Sequence, residues 1–117
     1  MGSVLKLPLR QRTAAELPGL VGTARVDRRT RALLPRLRPG DVAVIDHVDL
    51  DRATAQALVD AGVVAVVNAS PMISGRYPNR GPEVLLAAGV VVVDGVGPAG
   101  LAAVPDGRTV RVDGGTV

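Results

Sequence analysis

The sequence contains no cysteine, tryptophan or phenylalanine, and Tyr77 is its only aromatic residue. The lack of cysteine excludes disulfide scaffolds, cysteine-containing zinc sites and thiol nucleophiles. The lack of aromatic rings excludes proteins that stack several rings on a ligand, such as single-stranded nucleic-acid platforms and methyl-lysine cages. No apolar run approaches the roughly 18 residues of a membrane span, and the first residues lack the apolar core of a signal peptide. We therefore expect an aliphatic domain in the cytoplasm.

The chain has 117 residues, of which 47% are hydrophobic and 21% are charged. This length suits one domain with a modest core. We expect a flexible basic tail over residues 1–16 and a single domain over residues 17–117. A turn at 113–115 is followed by the start of another element, so we expect the chain to be cut from a longer protein or to be a domain-only relative of one.

Charge is distributed unevenly along the chain. Nine basic and two acidic residues precede Gly40, whereas five basic and nine acidic residues follow it. A basic front on an acidic body could bind lipid headgroups, nucleic acid or the acidic face of a partner. The simpler alternative is that solvated arginines surround a short helix.

Aliphatic runs alternate with helical patterns in the middle of the chain. The runs Val42–Ile45, Val63–Val67 and Val90–Val93 predict strands buried on both faces. Between them the pattern predicts one helix capped by Asp49 and ended by Gly62, and a second helix from Pro82 to about Ala88. This alternation predicts an α/β fold with a mostly parallel central sheet flanked by helices.

The flanking segments add three further elements. Residues 21–26 are rich in small and β-branched residues and predict a first strand. Residues 28–37 have leucines at helical spacing and Thr30 as a possible cap, although Pro35 should kink or shorten the helix. Residues 109–112 alternate between turns, which predicts a C-terminal β-hairpin.

The polar segment between residues 68 and 81 is the main candidate site. It joins the carboxyl end of a buried strand to the start of a helix, where α/β proteins commonly bind ligands. Two glycines permit close backbone approach, and two arginines offer the fork geometry that suits phosphate. The predicted ligand- or partner-binding residues are Ser74, Gly75, Arg76, Tyr77, Asn79 and Arg80.

Other features weaken the case for a phosphate site in this segment. Pro82 removes one backbone donor, and the glycine spacing matches neither the P-loop nor the dinucleotide fingerprint. In the alternative interpretation, Ser74 and Asn79 cap the loop. The two arginines then pair with carboxylates or serve a protein interface, and Tyr77 is a lid or an interface anchor.

A second group of residues surrounds the end of the second predicted strand and comprises Asp41, Asp46, His47, Asp49 and Asp51. Carboxylates with one imidazole could hold a divalent cation, but Asp41 lies at the opposite end of that strand and two of the others have helix-start roles. Nucleophilic catalysis also lacks support, because Ser70 and Ser74 have no second histidine to share and no G-x-S-x-G elbow occurs. We therefore predict no catalytic residue, no metal and no cofactor.

The run LPGLVGTARV and the phrases AVVNASP and SGRYPN-x-GPE resemble the N-terminal region of the actinobacterial cytokinetic ring protein SteA family. The similarity extends from Leu17 to Val117. In that family this region precedes a domain similar to thiamine pyrophosphokinase and a C-terminal membrane span. The resemblance implies a role in cell division and septal envelope assembly, with the kinase-like domain and a membrane-anchored division protein as partners.

A more distant resemblance is to the swivelling β/β/α domain of phosphoenolpyruvate-utilising enzymes, carried by the segment LAAGV with the strand that follows it and by DGRTVRVDGGTV. In that family a histidine in a glycine-rich loop carries the phosphoryl group. Its position falls on Arg80 here, and the preceding loop has no equivalent Gly-Gly. Because arginine does not accept a phosphoryl group as histidine does, this resemblance implies the fold alone.

Three functional hypotheses follow. The first is a noncatalytic regulatory or interaction domain of a SteA-like cell-division protein, located at the division site, with the SGRYPNRGP loop as its surface. The second is a domain that binds a phosphate-bearing small molecule, a nucleotide or a thiamine-related compound, at the same loop. The third, nucleic-acid binding through the arginine-rich front, is disfavoured.

Overall fold

The computed structural model describes residues 5–8, 20–72 and 80–113, which form one six-stranded sheet with helices on both faces. The strands are β1 (Leu5–Pro8), β2 (Leu20–Val26), β3 (Val42–Ile45), β4 (Ala65–Asn68), β5 (Val91–Val93) and β6 (Thr109–Asp113). The helices are α1 (Thr30–Leu33), continued by a 3₁₀ turn (Leu34–Arg36), α2 (Arg52–Asp60), α3 (Gly81–Ala87) and α4 (Gly97–Ala103). The predicted α/β class is confirmed.

The strand order is β1-β6-β2-β3-β4-β5. Strands β2 to β5 are parallel, with Ala24 opposite Val42, Val42 opposite Ala65, and Ala65 opposite Val91. Strand β6 runs antiparallel to β2 and parallel to β1. All four parallel strands therefore end at the same edge of the sheet, which we call the carboxyl edge.

Side-chain alternation along the strands builds a separate apolar core on each face. In β3, Val42 and Val44 contribute to one core, whereas Ala43 and Ile45 contribute to the other, and all four are inaccessible to solvent. Helix α4 covers the first face through Leu101. Helices α1, α2 and α3 cover the second face, as the burial of Leu33, Leu58 and Leu85 in that core shows. Each fully buried aliphatic side chain contributes about 1.5–3 kcal/mol to the stability of the fold. The aliphatic side chains of the two cores therefore stabilise the sheet without large aromatic residues.

The predicted helix ends are partly corrected. Helix α2 is capped by Asp51, whose carboxylate accepts a hydrogen bond from the Thr54 N–H at 3.0 Å, and not by Asp49. Asp49 instead has a positive φ of 53° in the preceding turn.

At the other end of helix α2, Gly62 has the φ of +84° expected of a helix-terminating glycine, so that prediction is confirmed. Pro35 does shorten the first helix, which becomes a 3₁₀ turn at Leu34.

The predicted C-terminal hairpin is wrong for the described part of the chain. Strand β6 lies between β1 and β2, so both of its edges are already occupied by segments from the N-terminal part. Strand β1 itself falls within residues 1–16, for which we expected a flexible tail. Residues 5–8 pair with β6, whereas the rest of that segment lies outside the described residues.

A carboxylate ties the turn before β6 to the end of β2. Asp106 accepts hydrogen bonds from the Val26 N–H at 2.7 Å and from Arg36 Nη2 at 2.6 Å. The Val26 N–H, followed by the Arg36 guanidinium, holds the pKa of Asp106 below its ordinary value of 3.8. The ionised form of Asp106 therefore stabilises the fold more than the protonated form does.

This link predicts a loss of stability in acid. Because the pKa of Asp106 is lower in the folded state, its contribution is complete above about pH 4 and disappears as the pH falls through the folded pKa. The Asp106→Asn variant should therefore be less stable than the wild type at about pH 6, and the difference should shrink towards about pH 2.5. Urea unfolding at both pH values measures this, with Asp60→Asn on the exposed face of α2 as the control. A difference that does not change with pH would contradict this assignment.

Candidate functional site

The carboxyl edge gathers the polar residues that follow the parallel strands. Asp27 follows β2, Asp46 and His47 follow β3, and Asp94 follows β5, while Asn68 is the last residue of β4. Helices α1, α2 and α3 begin on this side of the sheet because each follows a parallel strand. The carboxyl edge is where an α/β sheet normally binds ligands, so the contacts of these side chains decide whether a site exists here.

Asn68 locks two neighbouring strand ends together. Its side chain is completely buried, its Oδ1 accepts from the His47 N–H at 2.8 Å, and its Nδ2 donates to the His47 carbonyl at 2.8 Å. One amide side chain thus satisfies both backbone groups of the residue that follows β3. This arrangement fixes the backbone of His47, and the complete burial of Asn68 keeps its amide away from a ligand.

Two more carboxylates hold the segment that follows β4. Asp94 accepts the Met72 N–H at 3.0 Å through Oδ1, and Ser70 Oγ donates a hydrogen bond to Asp46 Oδ1. Backbone bonds continue this support, since the Leu50 N–H donates to the Met72 carbonyl at 2.9 Å. The start of the candidate loop is therefore anchored from β3, from the α2 entry and from β5.

A hydroxyl, an imidazole and a carboxylate also form a line at this edge. Thr30 Oγ1 lies 2.9 Å from His47 Nδ1, and His47 Nε2 lies 3.8 Å from Asp51 Oδ1. The line resembles a hydrolytic triad in residue type only. Thr30 is only 4% exposed, so its hydroxyl does not meet a substrate. Asp51 already accepts a hydrogen bond from the Thr54 hydroxyl, which lies 2.6 Å from Asp51 Oδ1. This bond is the largest cause of the lowered pKa of Asp51.

An open cleft of about 470 Å³ lies beside this line, between the end of β2 and the loop after β3. It is lined by Arg28, Arg29, Thr30, Arg31, Asp46, His47 and Val48. Its three arginines are exposed, and their guanidinium groups form no ion pair or hydrogen bond with the described part of the chain. We call this feature the arginine cleft. The uneven charge of the sequence pointed to this region, but not to a concave site that includes His47.

Five of the six predicted binding residues lie outside the described residues, namely Ser74, Gly75, Arg76, Tyr77 and Asn79. Arg80 is described.

Arg80 stands immediately before α3 with its side chain 68% exposed, and its Nη1 is 3.9 Å from Glu83 Oε2. An exposed pair at this distance contributes little to stability, so the charge of Arg80 is available to a partner or ligand at the start of α3.

The acidic residues considered for a metal do not assemble into a site. Over residues 20–72 and 80–113, no group of three acidic or histidine side chains has metal-binding geometry. Asp41 lies at the opposite edge of the sheet, where it is buried and accepts from Arg25 Nε at 3.2 Å and from the Arg38 N–H at 2.8 Å. Its role is therefore to hold the turn that precedes β3.

Comparison with known proteins adds no assignment. No protein-family model matches the chain, and neither a curated protein nor a solved structure is significantly similar to it. Among the described helices, none is both long and apolar enough to span a bilayer.

Proposed function

We propose that the chain is a noncatalytic interaction domain of a SteA-like bacterial cell-division protein. The family part of this proposal rests on the sequence phrases AVVNASP and SGRYPN-x-GPE. The noncatalytic part rests on the chemistry of the carboxyl edge. In this proposal the domain works on the cytoplasmic side of the division site, next to a kinase-like domain and a membrane-anchored division partner.

The observation that carries the proposal is the engagement of the polar side chains at the carboxyl edge. Asn68 is committed to the His47 backbone, Asp94 to Met72, and Asp51 to Thr54. In the described chain no buried side-chain nitrogen or oxygen lacks a hydrogen-bond partner. A catalytic edge needs a nucleophile or base aimed at an open position, whereas these groups stabilise loops. Such an edge suits a domain whose function is to present a surface.

The proposed surface is the SGRYPNRGP loop together with the start of α3. The segment before this loop is held at three points, as described above, and at its other end the Gly81 N–H donates to the Leu50 carbonyl at 3.1 Å. Arginine and tyrosine are enriched at protein interfaces, where each adds a large contact area and a directed hydrogen bond. Anchoring both ends of a loop lowers the entropy that is lost when a partner binds.

The alternative function is binding of a phosphate-bearing small molecule, a nucleotide or a thiamine-related compound, at the same loop. The exposed guanidinium of Arg80 at the start of α3 favours it. Under this alternative, binding of such a compound should be lost in the Arg80→Ala variant. Under the main proposal, the same substitution should weaken a protein contact.

Localisation in dividing cells tests the main proposal. A fluorescent fusion of the chain, expressed in an actinobacterial host, should concentrate at the septum, and Arg80→Ala should make the signal diffuse. The matched control is Arg38→Ala, which removes the same charge from an exposed position near the opposite edge of the sheet. Turnover of a nucleotide or of thiamine diphosphate by the purified chain, lost in Arg80→Ala, would contradict the noncatalytic role.

A further inference from the structure

The arginine cleft has the dimensions and charge of a small-molecule anion site. Its volume of about 470 Å³ lies within the range of roughly 300–1,000 Å³ that is usual for ligand pockets. Three arginines line it, and one carboxylate, that of Asp46, lies among them. That carboxylate already accepts a hydrogen bond from Ser70. With three arginines and one carboxylate in its lining, the cleft therefore carries a surplus of positive charge.

The cleft is also built on rigid supports, although its arginines are exposed. The Asp27 carboxylate accepts the Arg29 N–H at 2.9 Å, which fixes the turn that presents the arginines. Thr30 links this turn to the opposite wall through its contact with His47 Nδ1 at 2.9 Å. The two hydrogen bonds between the Asn68 amide and the His47 backbone hold that wall in place. Because both walls are fixed to the sheet, a ligand would need to order only the arginine side chains.

The chemistry of the lining selects the class of ligand. Guanidinium forks bind the oxygens of phosphate in bidentate fashion, and several forks around one cleft match a group with at least two negative charges. No phenylalanine, tyrosine or tryptophan lines the cleft, so the imidazole of His47 is the only aromatic ring among its lining residues. We propose that the arginine cleft binds a phosphorylated small molecule through its phosphate or diphosphate group, at Arg28, Arg29 and Arg31 with His47 at the wall. The lining includes no residue of the SGRYPNRGP loop, and the inference does not depend on the function proposed above.

Calorimetric titration of the full chain with inorganic pyrophosphate tests the site. Single-site binding is expected, and Arg28→Ala and Arg31→Ala should each weaken it roughly tenfold or more, as loss of a charge-assisted hydrogen bond does. Arg38→Ala, which removes an exposed arginine outside the cleft, should change the affinity by less than about twofold. Circular dichroism should show all three variants folded, because these side chains are exposed. In NMR spectra, pyrophosphate should shift the imidazole signals of His47.

Each opposite outcome overturns the inference. Absence of binding, or equal binding by all variants, would show that the cleft is a solvated arginine surface. Loss of binding in Arg80→Ala with full binding in Arg28→Ala would place the anion at the SGRYPNRGP loop instead. Tighter binding of a single-stranded oligonucleotide that pyrophosphate does not displace would indicate a nucleic-acid surface. None of these outcomes alters the expected septal localisation, so failure here is distinguishable from failure of the proposed function.

Discussion

Replacement of Asn68 by alanine should lower the free energy of unfolding by about 2–4 kcal/mol, because it removes both partners of the His47 backbone and leaves a small cavity. The side chain is completely buried, and its two hydrogen bonds are both 2.8 Å long. Chemical denaturation at neutral pH measures the loss. A loss of this size would show that the strand ends depend on this one amide.

Asn68→Asp provides a sharper version of this test. The carboxylate keeps an acceptor for the His47 N–H but places a second oxygen against the His47 carbonyl, so it should be at least as destabilising as alanine at neutral pH. The control is Gln56→Ala, which removes an exposed amide that bonds to Asp60 at 2.9 Å and should cost less than about 0.5 kcal/mol. If Asn68→Ala lost no more free energy of unfolding than Gln56→Ala, water would be replacing the two hydrogen bonds of Asn68 to His47. The carboxyl edge would then not be held rigid by this amide.

Replacement of Gly81 by alanine should be the second large perturbation. A Cβ atom at this position would lie 2.2 Å from the Leu50 carbonyl oxygen, so the start of α3 must move away from the entry to α2. The Gly81 N–H also donates to that oxygen at 3.1 Å, and the movement would break this bond. Overpacking against backbone typically costs about 1–3 kcal/mol, and loss of the bond adds about 1 kcal/mol.

Thermal unfolding measures the Gly81→Ala effect, and Ala87→Ser is its control. The control also adds one heavy atom to α3, but on its exposed side, so it should change stability by less than about 0.5 kcal/mol. A Gly81→Ala protein that melts like the control would mean that α3 and the α2 entry are not in close contact. Because Gly81 ends the candidate loop, this contact also fixes where Arg80 stands.

The central part of the fold could be predicted because its signals are local. Strand β3 lies at the predicted residues, since an aliphatic run bounded by Gly40-Asp41 and Asp46 suits only a strand buried on both faces. Helix α3 begins one residue before the predicted Pro82. The partners of β6 were not predictable, because its pairing with β1 joins segments about a hundred residues apart and neither segment encodes the register.

Helix α4 carried no recognisable signal in the sequence. Its seven residues, GPAGLAA, include two glycines and a proline, which hide the apolar position of Leu101. That helix forms because Leu101 packs on the sheet, where it is only 6% exposed. Tertiary packing here overrides a weak local propensity.

The candidate site could be predicted as a region, but not as a geometry. The pattern placed Asn68 after an aliphatic run, yet nothing local indicates that its amide turns back to His47. Arg28, Arg29 and Arg31 were expected to surround a short helix, and only the sheet order brings them beside His47 to form a cleft. The resemblance to the swivelling domains, like the SteA resemblance, stays a prediction.

The fraction of septal fluorescence in dividing actinobacterial cells is the decisive measurement for an interaction surface at the start of α3, because it reports the interaction itself. We expect septal enrichment for the wild-type fusion and for Arg38→Ala, and a diffuse signal for Arg80→Ala at equal expression. A wild-type fusion that stays diffuse, or an Arg80→Ala fusion that concentrates at the septum as the wild type does, would contradict an interaction surface at the start of α3.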